Sequence, residues 1–195
     1  MAPPKTVCVY CASSSKADKK YLDAAYTLGK ILAESKIRCV FGAGKTGLMG
    51  ALAQGVIDSK GEIVGVIPEF MIAEGWGNED LTHLEITSTM HSRKETMAQL
   101  SDAVIAMPGG CGTFEELMEI ITWKQLGLFS GAIIILNINN YYNPLIEMLN
   151  RAVEENFMRE EHKTIWQVAT TPEEAIVAIK EATGWREDAR KIAAI

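Results

Sequence analysis

The sequence contains no long run of basic or acidic residues and no apolar run long enough to cross a membrane. Its 195 residues carry 19 lysines and arginines against 25 aspartates and glutamates, which gives a net charge of −6. Surfaces that bind DNA or RNA cluster lysine and arginine, so a nucleic-acid polymer is not an expected partner. A membrane span needs about 18 consecutive apolar residues, and none is expected. Any bound anion is therefore expected to be small and held by a few local groups.

Cysteine is scarce, with four residues in the chain. Cys8 and Cys11 form a Cys-x-x-Cys pair, but their segment reads as a strand, where this spacing sends the two side chains to opposite faces. Cys39 and Cys111 stand alone, so the four-ligand pattern of a zinc site is missing. The first five residues lack the apolar region of a signal peptide. We expect reduced thiols, a cytoplasmic location, no metal and no cofactor.

Short β-branched segments alternate with longer helical ones along the chain. Predicted strands cover residues 6–11, 38–41, 63–67, 83–86, 103–107, 132–136 and 164–168. Predicted helices cover residues 17–35, 47–59, 92–101, 113–126, 142–155 and 172–182, with a short one from Arg186, and residues 69–80 are predicted to be irregular. Strands joined by helices of this length form parallel βαβ units. The pattern predicts an α/β protein, a single doubly wound domain over residues 1–195 with a mostly parallel sheet of seven strands.

Every strand-to-helix turn of a parallel sheet lies at its carboxyl edge, where ligands bind. Four suggestive turns share this edge, at residues 12–15, 42–47, 91–94 and 108–113. They converge on one crevice if the first and fourth strands flank the point where the strand order reverses. Ser13, Ser14, Gly42 and Gly44 then become candidate contacts for a phosphate or nucleotide.

The turn at residues 42–47 imitates two known signatures. The end of a phosphate-wrapping Walker A loop is present, but its first glycine would fall at Cys39, inside a strand. Gly42, Gly44 and Gly47 match the spacing of a dinucleotide-binding turn, with Glu62 near the position of a ribose-binding acid. The same glycines also suit a tight turn with close helix packing, and both interpretations remain open.

The segment from Pro108 to Glu116 is the most informative stretch. Its three glycines let backbone N–H groups point at an anion, and the helix that follows presents the positive end of its dipole. Thr113 is the predicted N-cap of that helix. Glu116 lies three residues later, which is the spacing of a capping box, so it is either a cap or a catalytic carboxylate.

Arg93 and Lys94 lie near the start of a predicted helix, where a positive charge opposes the helix dipole. A negatively charged partner explains this placement better than stability does, whether that partner is a ligand phosphate or a carboxylate. The alternative is a solvated surface pair. Glu115, Glu119 and Thr122 lie on one stripe of the next helix, beside Glu116.

Two of these segments resemble the Lonely Guy family of cytokinin-activating phosphoribohydrolases, whose members are often described as lysine decarboxylases. The family motifs are Pro-Gly-Gly-x-Gly-Thr-x-x-Glu, here Pro108 to Glu116, and Met-His-x-Arg-Lys, here Met90 to Lys94. Residues 41–50, 121–123 and 139–142 are also similar to family segments. The resemblance covers most of the chain, from the first predicted strand to about residue 160.

The resemblance implies a Rossmann-like fold, a homodimer, and hydrolysis of a nucleoside 5′-monophosphate to ribose 5-phosphate and a free base, adenine or an N6-substituted adenine. It implies Arg93 and Glu116 as the catalytic pair. The substrate site it implies is lined by Lys94, Gly110, Cys111, Gly112, Thr113, Phe114, Glu115 and Thr122. The chain departs from the family at Gly75, where plant members have a substrate-binding glutamate and this chain has Glu74 beside it. It also has Ala12 where many members have glycine.

Three functions compete at this crevice. In the first, a carboxylate such as Glu116 stabilises the positive charge that develops on ribose as the base leaves, and orients water. Arginine does not readily give up a proton, so Arg93 is expected to position the phosphate, the sugar or the glutamate. The second is a non-catalytic carrier of a phosphorylated pterin or nucleotide, similar to molybdenum-cofactor carriers. The third is pyridoxal-phosphate chemistry at Lys45 or Lys94, and neither lysine lies in a recognisable cofactor motif.

Overall fold

The computed structural model describes residues 4–81, 83–186 and 188–193, and it joins seven strands in one sheet. The strands are β1 (Thr6–Tyr10), β2 (Arg38–Phe41), β3 (Ile63–Pro68), β4 (Leu84–Thr87), β5 (Ala103–Ala106), β6 (Ala132–Leu136) and β7 (Gln167–Ala169). Their order across the sheet is β4-β3-β2-β1-β5-β6-β7, and every pairing is parallel. The predicted α/β class and seven-stranded sheet are confirmed.

The helices follow the strands in alternation, as predicted. They are α1 (Lys19–Glu34), α2 (Gly47–Asp58), α3 (Glu69–Ala73), α4 (Met90–Gln99), α5 (Cys111–Gln125), α6 (Asn143–Glu154), α7 (Pro172–Glu181) and α8 (Ala189–Ile192). Local chemistry sets their starts: the Asp18 side chain caps α1, and Thr171 caps α7 one residue before Pro172. No helix among the described residues is long and apolar enough to cross a membrane.

Three expectations about the elements need correction. The segment at residues 69–80 is not irregular throughout, because it opens with α3. The last strand lies later than predicted, because Glu160–Thr164 forms a 3₁₀ helix and β7 starts only at Gln167. The short final helix begins at Ala189 rather than at residue 186, and Glu187 lies outside the described residues, as do residues 1–3.

The sheet separates two apolar cores. Helices α1, α2 and α7 cover one face, while α4, α5 and α6 cover the other. The strands are buried on both faces, which explains their nearly continuous apolar sequences. Cys8 packs in the core under α4 and α5, and Cys11 packs in the opposite core, as the strand spacing predicted. All four cysteines are free.

The strand order reverses between β1 and β5, not beside the fourth strand as predicted. The first four strands are added one after another toward one edge of the sheet, so β4 is an edge strand. The connection through α4 then returns the chain past β1, where β5 pairs on the other side. The turns after β1 and β5 therefore face each other. They are joined by a hydrogen bond of 3.2 Å from the Ala12 N–H to the Pro108 carbonyl. This is the place where a doubly wound sheet opens to a ligand.

Candidate active site

A crevice of about 660 Å³ opens over the carboxyl edge of the sheet at this reversal point. The turns after β1, β2 and β5 form its floor, and α4, the start of α5 and the segment after β3 form its walls. Of the predicted site residues, it is lined by Ser13, Ser14, Gly42, Gly44, Arg93, Gly110, Gly112, Thr113, Glu115 and Glu116. A volume of this size suits a ligand as large as a nucleotide.

The start of α5 supplies backbone amides to one end of the crevice. Gly110 is the N-cap residue and α5 begins at Cys111. The first amides of a helix have no carbonyl partner within it, and they carry the positive end of its dipole. A Cβ atom added at Gly110 or at Gly112 would meet no atom within 4 Å, so the space above this backbone is open. An anion can therefore approach these amides directly.

Thr113 and Glu116 do not cap α5, contrary to the predicted N-cap and to the alternative of a capping box. The helix starts two residues earlier than expected, and no side chain bonds to its N-cap amides. Thr113 instead packs on the turn: a Cβ atom at Gly109 would lie 2.1 Å from the Thr113 Oγ1 atom. Glu116 lies in the second turn of α5, where its side chain is free for other contacts.

Glu116 forms a buried ion pair with Arg93. The Arg93 Nη1 atom is 3.5 Å from the Glu116 Oε1 atom, and the two side chains are only 6% and 7% exposed. Arg93 Nε donates to the Val66 carbonyl at 3.0 Å, and Nη2 donates to the Gly42 carbonyl at 3.3 Å. The predicted negative partner of Arg93 is thus a carboxylate, and the alternative of a solvated pair is wrong.

Burial makes the Glu116 carboxyl a weaker acid than an ordinary glutamate. Loss of water around the group raises its pKa to about 7, and the positive charge of Arg93 opposes this rise without cancelling it. The negative charge of Glu115 adds to the rise. A carboxylate in this state is poorly solvated, so it interacts strongly with any positive charge that appears nearby in the crevice.

Lys94 holds a second pair of acids beside this site. Its Nζ atom donates to Glu115 at 2.8 Å and to Glu119 at 3.2 Å, and its side chain is 5% exposed. Burial lowers the pKa of Lys94, but the two acids outweigh it and the net pKa is raised. The hydrogen bond from Lys94 lowers the pKa of Glu115. Lys94 therefore remains charged, lies outside the crevice, and fixes an ionised Glu115 at its wall.

The glycines of the turn after β2 are explained by close packing. A Cβ atom at Gly42 would lie 2.1 Å from the Arg93 Nη2 atom, so only glycine leaves room for the guanidinium group. Gly47 has a φ of +62°, and a Cβ atom there would lie 2.6 Å from backbone atoms of Ser13 and Ser14. The tight-turn interpretation is therefore supported for this segment.

Glu62 does not lie at the crevice, so its assignment as a ribose-binding acid is wrong. It precedes β3 at the opposite edge of the sheet, where its carboxylate pairs with Arg38 at 3.1 Å. A helix must lead back to the amino end of the next strand, and a residue in that connection cannot reach the carboxyl edge.

Three other residues implied for the substrate site lie outside the crevice. The Cys111 thiol is exposed. Phe114 stacks on Tyr141 with ring centres 6.4 Å apart, and it packs against the core. Thr122 is exposed and donates to the Met118 carbonyl of its own helix.

The crevice has an apolar wall that sequence reasoning missed, formed by the end of β3, the segment that follows it and the start of α4. Ile67, Met71, Trp76 and Met90 line the crevice, and the Trp76 side chain is 54% exposed. A tryptophan in the connection that follows the third strand, at the carboxyl edge of the sheet, was the available signal. Neither Glu74 nor Gly75 lines the crevice: Gly75 takes a φ of +71° just after α3, which turns the chain and brings Trp76 to the wall.

Metal ligands do not accompany this arrangement in the part of the chain that the structure describes. Within it, no three residues among histidine, cysteine, aspartate and glutamate are grouped closely enough to hold an ion. What the crevice offers is a set of backbone amides, a buried carboxylate with its arginine, a second carboxylate at the wall, and an apolar surface.

Comparison with known proteins gives a consistent family. The family model described as "possible lysine decarboxylase" matches residues 49–179. The chain is 43% identical over 177 residues to a probable cytokinin riboside 5′-monophosphate phosphoribohydrolase of Oryza sativa subsp. japonica, covering 91% of this chain and 72% of the relative. It is 42% identical over 178 residues to the cytokinin riboside 5′-monophosphate phosphoribohydrolase of Rhodococcoides fascians, covering 91% of this chain and 90% of the relative.

A solved structure extends the comparison of folds. The molybdenum cofactor carrier protein of Chlamydomonas reinhardtii superimposes with a TM-score of 0.69, covering 93% of this chain and 98% of that protein. The two sequences are 19% identical, so this likeness shows a shared fold alone.

The raised pKa of Glu116 predicts a pH-dependent stability. Its pKa is about 7 in the folded chain against an ordinary 4.5, so folding favours the protonated form. The stabilisation is complete below about pH 4.5 and is lost as the pH rises through about 7. Relative to Glu116→Gln, which does not titrate, the wild-type chain should lose up to about 3 kcal/mol of unfolding free energy between about pH 4.5 and pH 8. Urea unfolding at both pH values measures this. An equal change in unfolding free energy for the wild type and Glu116→Gln would contradict it.

Proposed function

Because this chain belongs to the Lonely Guy family of cytokinin riboside 5′-monophosphate phosphoribohydrolases, we propose that it hydrolyses the N-glycosidic bond of an adenosine 5′-monophosphate, with or without an N6 substituent. Water would attack the anomeric carbon of ribose, and the products would be ribose 5-phosphate and the free base. The observation that carries this proposal is the buried Glu116 carboxylate, paired with Arg93 in the same crevice as the open amides of α5.

The start of α5 is the proposed site of the 5′-phosphate. Gly110 and Gly112 leave its amides uncovered, and the helix dipole favours a negative group there. The turn that carries Ser13 and Ser14 faces the same space across the reversal point. These groups recognise charge and shape rather than a base, which supports a preference for the monophosphate over the nucleoside.

Glu116 is the proposed catalytic carboxylate. Departure of the base leaves positive charge on the ribose, and a desolvated carboxylate stabilises this charge more strongly in the transition state than in the ground state. The developing charge also favours the ionised form of Glu116, whose pKa of about 7 leaves it partly protonated in the free protein. The same oxygen atoms can orient the attacking water, as in other glycoside hydrolyses.

Arg93 is proposed to act through Glu116 rather than as an acid. Three of its nitrogen atoms already contact the Val66 carbonyl, the Gly42 carbonyl and Glu116. A guanidinium group keeps its proton, so its contribution is a fixed positive charge that orients the carboxylate. Glu115, held ionised by Lys94 at the wall of the crevice, is proposed to accept hydrogen bonds from the sugar hydroxyls.

The apolar wall of Met71, Trp76 and Met90 is the proposed contact surface for the base and any N6 substituent. Aromatic and thioether side chains provide a flat, adaptable surface without hydrogen-bond demands. This wall supports acceptance of an apolar substituent, since an N6 group that packs there covers exposed tryptophan surface.

The alternatives have less support. A pyridoxal-phosphate decarboxylase needs a neutral lysine amine for imine formation, whereas Lys94 is buried between two acids that raise its pKa. Lys45 is exposed at the rim. A molybdenum cofactor carrier shares the fold with this chain. Binding without catalysis, however, does not require a desolvated carboxylate in the crevice.

Two further properties follow from the proposed function. We infer a homodimer, as the resemblance to the family implies. The free state of all four cysteines suits the reducing environment of the cytoplasm, where we propose that the protein acts.

Incubation with AMP or with N6-isopentenyladenosine monophosphate is expected to release free base, whereas adenosine should react poorly. Glu116→Gln should reduce the rate by about 100-fold or more, because the charge that stabilises the transition state is gone. Chromatography of the released base measures this. Glutamine is chosen because Arg93→Ala, which should also lose turnover, leaves a buried carboxylate without its partner at a cost of about 3–5 kcal/mol.

The control for this experiment is Glu95→Gln. Glu95 is exposed on α4, two residues after Arg93, and its carboxylate accepts a hydrogen bond from the Gln99 side chain. It should keep the wild-type rate. A near-normal rate in Glu116→Gln would reduce that residue to a structural role, and binding of AMP without release of adenine by the wild type would favour a carrier.

The pH profile of the reaction is expected to follow the ionisation of Glu116. Since the carboxylate must be charged, kcat/KM for AMP should fall as the pH is lowered through about 7. The 5′-phosphate itself takes up a proton near pH 6, so inhibition by ribose 5-phosphate, which carries the same phosphate, is measured in parallel. A kcat/KM profile that only follows the inhibition constant would speak against an essential Glu116 carboxylate.

A further inference from the structure

Two tyrosines from the loop after β6 form hydrogen bonds to the backbone of the glycine-rich turn, from outside the crevice. The Tyr141 hydroxyl donates to the Gly109 carbonyl at 2.5 Å, and the Tyr142 hydroxyl donates to the Met107 carbonyl at 2.6 Å. Both carbonyls belong to the segment that leads from β5 into α5. Neither tyrosine lines the crevice, so any influence on a ligand passes through this backbone.

The loop that carries the tyrosines has an unusual backbone. Asn139 and Asn140 have φ angles of 52° and 59°, a region that asparagine tolerates better than most residues. The Asn137 side chain accepts a hydrogen bond of 2.7 Å from the Tyr142 N–H. Two successive left-handed residues turn the chain sharply, and this turn brings both phenol rings against the segment after β5.

The ring of Tyr141 is fixed on three sides. It packs edge-on against Tyr21 and Tyr142, with ring centres 6.1 Å and 5.1 Å away, and it stacks on Phe114 at 6.4 Å. Partial burial raises the pKa of Tyr141, so its hydroxyl keeps the proton that it donates to Gly109. The packing of the rings therefore fixes the position from which the Tyr141 hydroxyl donates to the Gly109 carbonyl.

Holding the Gly109 carbonyl also fixes the next amide. A peptide bond is planar and trans, so its C=O and N–H groups point in opposite directions. The Gly109 carbonyl points to Tyr141, so the Gly110 N–H points away from Tyr141, and Gly110 lines the crevice. Among the residues that the structure describes, no acceptor takes this N–H.

We propose that Tyr141 is a positioning residue, which aims the Gly110 N–H at the phosphate of the ligand by holding the Gly109 carbonyl. This inference rests on the proposed function only in taking the ligand's anion to be bound at the start of α5. Without the hydroxyl the Gly109–Gly110 peptide can rotate, and the N–H no longer meets the anion in a fixed direction. The contribution is confined to ligands that carry the phosphate.

Tyr141→Phe tests this, because it removes the hydroxyl and keeps the packed ring. Calorimetric titration of ribose 5-phosphate should show affinity about 10- to 100-fold weaker than in the wild type, the size expected for one hydrogen bond to a charged group. The KM for AMP should rise by a similar factor with kcat within about twofold. Binding of adenosine, which has no phosphate, should stay at its wild-type value, and the melting temperature should fall by no more than about 4 °C, the cost of one hydrogen bond.

Tyr21→Phe is the matched control. It makes the same change in the same aromatic cluster, but no hydrogen bond joins Tyr21 to the glycine-rich turn in the part of the chain described. It should bind ribose 5-phosphate as the wild type does. Equal affinity in Tyr141→Phe and the wild type would overturn the proposal. A loss shared equally by ribose 5-phosphate and adenosine, together with a larger fall in melting temperature, would also overturn it by showing a structural role.

The titration separates this inference from the proposed function. Binding of ribose 5-phosphate requires no bond cleavage, so it reports on the amide even if AMP is not hydrolysed. A wild-type protein that binds ribose 5-phosphate without hydrolysing AMP would sink the proposed reaction and leave the role of Tyr141 to be judged by the variant alone.

Discussion

The buried contact between Arg93 and Glu116 is the constraint on which the rest of the crevice depends. Two charges removed from water need each other and further polar partners, because an unpaired buried charge is costly. The sheet supplies those partners as the carbonyls of Val66 and Gly42, at the ends of β3 and β2. The pair also joins α4 to α5, the helices on either side of β5 in the chain, and so it fixes the width of the site.

This arrangement separates opposite electrostatic tasks by a short distance. The amide end of α5 favours negative charge, as a phosphate brings, while Glu116 and Glu115 favour positive charge, as a ribose acquires when its base leaves. The apolar wall of Met71 and Trp76 has no charge to offer. A nucleoside monophosphate carries a group complementary to each of these three surfaces.

The sequence predicted what local patterns encode. Apolar β-branched runs predicted all seven strands, and the motif containing Arg93 and the motif containing Glu116 predicted a pair that the fold does bring together. The sequence did not predict which strand-to-helix turns lie next to each other at the crevice. The position of the reversal point depends on which strands pair, and the mistaken placements of Glu62 and of the N-cap of α5 followed from counting along the chain. Trp76 and Tyr141 belong to irregular segments, where periodicity carries no information about direction.

The most direct test of the central claim is a crystal structure of Glu116→Gln with AMP bound, since this variant should retain the substrate. The account predicts the 5′-phosphate within about 3 Å of the amides that begin α5, and the side chain at position 116 within about 4 Å of the anomeric carbon. A sugar that lies outside the reach of residue 116, or a phosphate bound away from α5, would contradict it.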